Sequence, residues 1–294
     1  MVEAAASDAF VFLTGDLGFK ALEPLRDAAG KRFINAGVAE QNMVSVAAGL
    51  ARAGMRPWTY SIAPFMYARP FEQIRNDICL HKLPVVLVGN GGGYGYGVMG
   101  ATHHAIEDYG VMLALPHMQV FVPAFDGDLT PIVDRLMTLD GPAYLRLGLS
   151  EEPKDMEMPA YSPWRRLHAG DSGAATVLAV GPLVGGIASA ARHVGLGRRP
   201  TVWLLSELPV IDLPQAFVDD VARCSHFIVL EEHVNQGGIG GSVATQLMKR
   251  GISPPRFSHL AARGYVSGLY GSQAFHRRES GLDVASVMAV ACQI

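Results

Sequence analysis

The segment "RFINAGVAEQNMVSVAAGLARAG" (Arg32–Gly54) starts as a short strand and ends as a helix. After the turn residues, Met43, Val44, Val46, Ala47, Leu50 and Ala51 recur at helical spacing. One acid, Glu40, stands at the head of that helix. Two explanations are open at this level. An acid in a first turn complements the helix dipole, worth roughly 0.3–1 kcal/mol; alternatively the carboxylate is placed there for chemistry.

The same alternation runs outward in both directions. "AFVFLTGD" (Ala9–Asp16) reads as a strand ending in a turn and "RPWTYSIA" (Arg56–Ala63) as another, followed by the helix "PFEQIRNDICLHK" (Pro70–Lys82). "LPVVLVGNGGG" (Leu83–Gly93) is a continuous apolar run of the kind found in central parallel strands. "MQVFVPAF" (Met118–Phe125), the helix "DLTPIVDRLMTL" (Asp128–Leu139) and "PAYLRLG" (Pro142–Gly148) complete a first unit, residues 1–150. Residues 151–170, rich in proline and charge, read as a linker. Strand–helix pairs then resume over 171–294: "ATVLAVGP" with "VGGIASAARHVG", "PTVWLLSE" with "PQAFVDDVARCS", and "HFIVLEEH" with "GGSVATQLMKRG". Such alternation predicts an α/β protein of two doubly wound, mostly parallel domains.

Composition narrows the function. Of 294 residues, 49% are hydrophobic and only 17% charged, with a net charge of −3. Without clustered Lys and Arg, backbone binding to nucleic acid is not expected. The three cysteines, Cys79, Cys224 and Cys292, are far apart and form neither a metal motif nor a disulfide framework. With no basic leader and no apolar run of membrane length, a cytoplasmic protein with no membrane contact is expected.

The strongest candidate for chemistry is "GNGGGYGYGVMGATHHAIEDYG" (Gly89–Gly110), directly after the fourth strand. Ligands of open parallel sheets bind in loops beyond the carboxyl ends of strands. Glycine lets a ligand approach the backbone, and His103 and His104 follow it into a short helix containing Glu107 and Asp108. A flexible loop with solvated histidines is the competing explanation. The glycines lack the acidic partner of a dinucleotide fingerprint and the Lys-Ser/Thr of a P-loop. His103 and Glu107 have no evident third partner for a metal.

Taken together, "INAGVAEQNMVSVAAGLARAG", "APFMYARPFEQIRND" and the glycine–histidine segment closely resemble transketolases and their thiamine diphosphate-dependent relatives. "VLEEHVNQGGIGGSVATQL" (Val229–Leu247) is similar to the carboxy-terminal domain of the same group. The resemblance implies a pyrimidine-binding thiamin-diphosphate fold followed by a transketolase C-terminal domain. It implies that Glu40 hydrogen-bonds the cofactor's pyrimidine ring and moves a proton there, where glutamine could bond but not relay. Phe65 would stack on that ring, with core packing as its alternative and Tyr67 or Phe71 as other candidates. Asp16 and Leu17 match a turn near the cofactor, or a turn with no ligand contact. His103 matches a histidine facing the substrate carbonyl oxygen; His104 falls beside it at a position not usually histidine, a second substrate-binding candidate whose role the resemblance leaves open.

Two departures matter. The Gly-Asp-Gly and distant Asn that hold Mg²⁺ and the diphosphate are missing; "TGDLG" and "GDSG" do not supply them. The resemblance is therefore to the C-terminal half of a split transketolase. A separate amino-terminal subunit would carry that motif and the Mg²⁺, with two copies of each chain sharing the cofactor. Secondly, Gly91 and Met99 stand where sugar-phosphate transketolases carry histidine and aspartate, and Leu149 and Ser150 where they carry a phosphate-gripping arginine. Arg146 and Arg263 remain candidates for phosphate. The implied activity is transfer of a two-carbon ketol unit from a ketose to an aldehyde. The alternative is a β subunit of a decarboxylating 2-oxoacid enzyme.

Overall fold

The computed structural model describes residues 1–149, 152–154 and 156–293. Ser150, on which one expectation falls, lies outside the described residues. Strands β1 (Phe10–Thr14), β2 (Phe33–Asn35), β3 (Arg56–Ile62), β4 (Val86–Asn90), β5 (Gln119–Phe121) and β6 (Ala143–Leu147) form a parallel sheet. Across that sheet the order is β5-β6-β4-β3-β1-β2. Because β2 and β3 flank β1 on opposite sides, the direction of winding reverses at β1. Loops leaving the carboxyl ends there diverge and open a crevice.

Each central strand buries both faces. Val11 and Leu13 pack with Met43, Val44, Ala47 and Ala51 of the helix Glu40–Arg52. Phe10, Phe12, Trp58 and Val88 face the opposite layer with Leu25, Ile132 and Leu136. Val46, expected on the apolar stripe, is exposed instead, because the buried face is the one centred on Met43 and Ala47. The helix expected over Pro70–Lys82 is a short α-turn, Phe71–Gln73, continuing as a π-helix over Ile74–Cys79. Its inner residues Ile74, Ile78 and Cys79 are still buried.

The second sheet contains β7 (Trp164–His168), β8 (Thr176–Val180), β9 (Thr201–Leu205), β11 (Phe227–Val234) and β12 (Phe257–Ala262), ordered β12-β11-β8-β9-β7. It is parallel except for β7, which runs antiparallel to β9. Thus part of the segment read as linker, 151–170, is a strand: Trp164 leaves the proline-rich stretch and packs on Phe217 with ring centres 4.9 Å apart. The short β10 (Glu207–Leu208), which follows β9 in the chain, crosses back and pairs antiparallel with β5 of the first sheet. The two layers are therefore stitched together in a way that sequence order does not suggest. The helices Gln273–Ser280 and Val284–Ala291 close the chain, each capped at its start by a side chain, Ser272 and Asp283 respectively.

Candidate active site

Four loops meet beyond the carboxyl ends of β1, β2, β3 and β4. β2 ends at Asn35 and the chain turns into the helix that begins at Glu40. The Glu40 side chain points inward and is only 3% exposed. A buried carboxylate needs donors, and two side chains of this chain supply them. Ser61, near the end of β3, donates its hydroxyl to Oε1 at 3.0 Å. Arg69 donates Nη1 to both oxygens at 3.0 Å. Gly15, just after β1, leaves one flank of the carboxylate open: a Cβ there would lie 3.6 Å from Oε1.

Phe65 lies on the short helix Ala63–Tyr67 that follows β3. The Arg69 guanidinium carbon rests 3.7 Å from its ring centre. Phe65 also meets the His103 imidazole edge-on, with centres 5.2 Å apart. Of the three aromatic candidates, Phe65 is the one that shares Arg69 with Glu40. Tyr67 is buried and donates its hydroxyl to Glu107 at 3.2 Å, and Phe71 packs against the core. His103 sits in a turn before the helix Asp108–Leu113, not within it. Its Nδ1 is 2.9 Å from the Thr102 hydroxyl, and Tyr96 flanks the ring at 5.8 Å.

His104 and the Asp16 turn are placed differently. His104 is 3% exposed and both ring nitrogens are engaged: Nε2 donates to the Gly97 carbonyl at 2.8 Å, so Nδ1 accepts from Tyr265 at 2.9 Å. Burial, opposed by that carbonyl, lowers its pKa from the ordinary histidine value. His104 thus braces the loop from inside, and the expectation that it faces a substrate is not met by this arrangement. Asp16 adopts a positive φ of 60° and accepts from the Asn35 side chain at 2.8 Å. The Leu17 backbone closes the turn through Thr14. Both lie at the crevice rim.

The loop carrying His103 is held by elements of the second sheet and the helices behind it. Backbone bonds between Gly93 and Ala105, both 2.8 Å, pin its two arms together. Tyr94 N–H donates to Glu232 at 2.9 Å, and the Tyr94 ring stacks on His276 with centres 5.0 Å apart. Glu232 also takes Arg277, with the closest contact at 2.6 Å. The neighbouring Glu231 accepts from Tyr109, from His259 and from the amides of Ile239 and Gly240. Burial alone would raise the Glu231 carboxyl, but the bonds from His259, the Ile239 amide and Tyr109 hold it below the usual carboxylate range. Gly93 has a φ of +64°, and a Cβ there would come within 2.7 Å of the Glu232 carboxyl carbon. Gly93→Ala is expected to cost more than about 1–2 kcal/mol of stability, the penalty of a left-handed residue alone; urea melts of both proteins measure it.

Arg146 is committed to the interior. It is 4% exposed, donates Nε to Asp108 at 2.8 Å, and donates Nη2 to the carbonyls of Ala105 and Glu232 at 2.9 Å. It is therefore withdrawn from the phosphate candidates, whereas Arg263 is exposed. Leu149 is 74% exposed and Met99 53%. Among the described residues no group of three or more His, Cys, Asp or Glu is arranged to hold a metal ion, and no helix is long and apolar enough to cross a membrane. The partners Ser61, Arg69 and Glu232 are not marked as such by the sequence. Arg69 follows the Phe65 motif directly, and the paired acids of "LEEH" are a visible signal without a visible partner.

A buried carboxylate, an aromatic face and an imidazole thus lie close together near the switch point of a parallel sheet, where open α/β sheets bind their ligands. The family described as "Transketolase, pyrimidine binding domain" matches residues 2–152, and the chain belongs to the transketolase family. It is 31% identical over 277 residues to one subunit of the apulose-4-phosphate transketolase of Actinobacillus succinogenes, covering 90% of this chain and 85% of that protein. It is 33% identical over 228 residues to 1-deoxy-D-xylulose-5-phosphate synthase 2 of Geobacter sulfurreducens, covering 75% of this chain but only 36% of the synthase. Among solved structures, "Split gene transketolase, inactive beta4 tetramer" superposes with a TM-score of 0.81 at 29% identity, covering 99% of this chain and 94% of the other.

Proposed function

We propose that this chain is the β subunit of a split, thiamine diphosphate-dependent transketolase that transfers a two-carbon ketol unit from a ketose to an aldehyde. The first sheet and its helices, through β6, form the pyrimidine-binding unit, and the chain from β7 (Trp164–His168) onward forms the C-terminal unit. The observation that carries the reading is the meeting of Glu40, Phe65 and His103 in one crevice. Near-complete alignment with a protein named as a transketolase subunit, and with one described as a split-gene transketolase, supports the split.

The residues present fit the cofactor. Glu40 offers a buried acceptor and Phe65 an apolar ring face, the two joined by the Arg69 guanidinium that bonds one and lies over the other. When bound, thiamine diphosphate supplies the carbon nucleophile to which the transferred fragment attaches. Glu40 holds or moves a proton at its carboxyl oxygen against the ring, and Ser61 fixes that carboxyl's orientation. His103, steadied by Thr102, donates to the substrate oxygen. Tyr94, Glu232 and His104 keep its loop in place, while Asp16 and Leu17 shape the rim. The diphosphate and Mg²⁺ fall to a separate amino-terminal subunit carrying Gly-Asp-Gly and Asn, two copies of each chain making the enzyme.

The test is reconstitution with that amino-terminal chain. Ketose–aldehyde exchange that depends on both chains is the expected result. Release of carbon dioxide from a 2-oxoacid without ketol transfer would replace the reading with the decarboxylating alternative. Within the active complex, His103→Ala is expected to lower kcat about a hundredfold, the lower range for loss of a general acid, with the melting temperature unchanged. A kcat within about twofold of wild type, far below that range, would remove His103 from the chemistry.

A further inference from the structure

The space bounded by Glu40 and Phe65 is filled by a side chain from the same chain. Arg69 Nη1 bonds both Glu40 oxygens at 3.0 Å while its guanidinium lies 3.7 Å above the Phe65 ring centre. A guanidinium is flat, carries N–H donors on its edge and stacks on aromatic faces. An aminopyrimidine has the same attributes and would meet the same carboxylate and the same ring face. Two flat groups cannot occupy that volume together.

We propose that Arg69 is a displaceable latch: in the free chain it stands in the place of the cofactor's aminopyrimidine ring, and binding of that ring swings it out. The inference rests on the reading of Glu40 and Phe65 as the pair that holds the pyrimidine. The two partners are unequally placed for such an exchange. Glu40 is 3% exposed, and its carboxylate stays where it is because Ser61 also holds it. The Arg69 side chain is 42% exposed and follows the exposed Ala68 just after the helix Ala63–Tyr67, so its charged end can rotate into water without moving a strand. A buried carboxylate stripped of its donor is costly. Water entry alone therefore does not open the latch; a flat group bringing its own edge donor does. The latch thus selects for a donor-bearing ring and lowers apparent affinity by the fraction of chains in which it is closed.

The test uses the full chain with 4-amino-5-hydroxymethyl-2-methylpyrimidine, which lacks the diphosphate and so needs no partner chain. Calorimetry or ligand-observed NMR should show Arg69→Gln binding it about tenfold more tightly than wild type. A second readout needs no variant. Phenylglyoxal modification of Arg69, followed by peptide mass, should accelerate several-fold when the pyrimidine is present, since the displaced guanidinium enters solvent. Equal affinity in wild type and Arg69→Gln, lost in Glu40→Ala, would overturn the latch and leave the pyrimidine reading standing. Slower modification on adding the pyrimidine would overturn it in the same way. No binding to a folded Arg69→Gln protein would overturn both.

Discussion

Glu40→Gln in the reconstituted enzyme is expected to lower kcat by about a thousandfold or more, within the upper range for removal of a positioned acid–base group. The amide can still accept from Ser61, whose hydroxyl lies 3.0 Å from Oε1. What it cannot do is take up and return a proton. Loss should therefore appear in kcat far more than in the concentration of cofactor needed for half-saturation. Stability should change little: the neutral amide strands no buried charge, and the Arg69 guanidinium left behind is 42% exposed and can be solvated by water. A variant that folds, associates with the partner chain and turns over at a normal rate would show that the acid at the head of this helix serves only its dipole.

The second large effect is on stability. Arg146→Met should destabilise the fold by about 3–5 kcal/mol, the usual cost of leaving one member of a buried ion pair alone. Asp108 is fully buried and would keep only the Tyr144 hydroxyl, at 3.0 Å, as a side-chain donor. The carbonyls of Ala105 and Glu232 would lose their shared donor as well. These two carbonyls belong to the His103 loop and to β11, so the substitution should also loosen the contact between the two sheets' layers. A double-variant cycle with Asp108→Asn measures the pair directly. The double variant should recover part of the loss, because no buried charge is then stranded. Equal melting temperatures for Arg146→Met and wild type would show that the network is not the clamp described.

Much of this is visible in the chain before folding. The strands and most helices follow from apolar runs and their period, which depend on near neighbours alone. The glycine–histidine loop can be placed at a strand end because a strand precedes it in sequence. Glu40 stands out by its position at the head of a buried helix. The differences arise where distant segments compete for a face. Trp164–His168 looks like linker because its proline-rich approach hides a strand whose partner, β9, lies well downstream. Glu207–Leu208 gives no sign of joining the first sheet, since the register is set by β5. His104 looks as available as His103; only the closeness of Gly97 and Tyr265 encloses it.

The amino-acid sequence by itself determined the alternating elements and their division into an earlier and a later set, while Glu40 and His103 stand as candidates through the resemblance to transketolases. Those rest on local spacing and on which functional groups the chain contains. Tertiary structure alone decided which of them meet. It buried Arg146 against Asp108, turned one histidine inward and its neighbour toward the crevice, and laid Arg69 between Glu40 and Phe65. Those outcomes depend on charge and shape brought together across the fold, where a buried polar group must find a donor and two groups cannot fill one space.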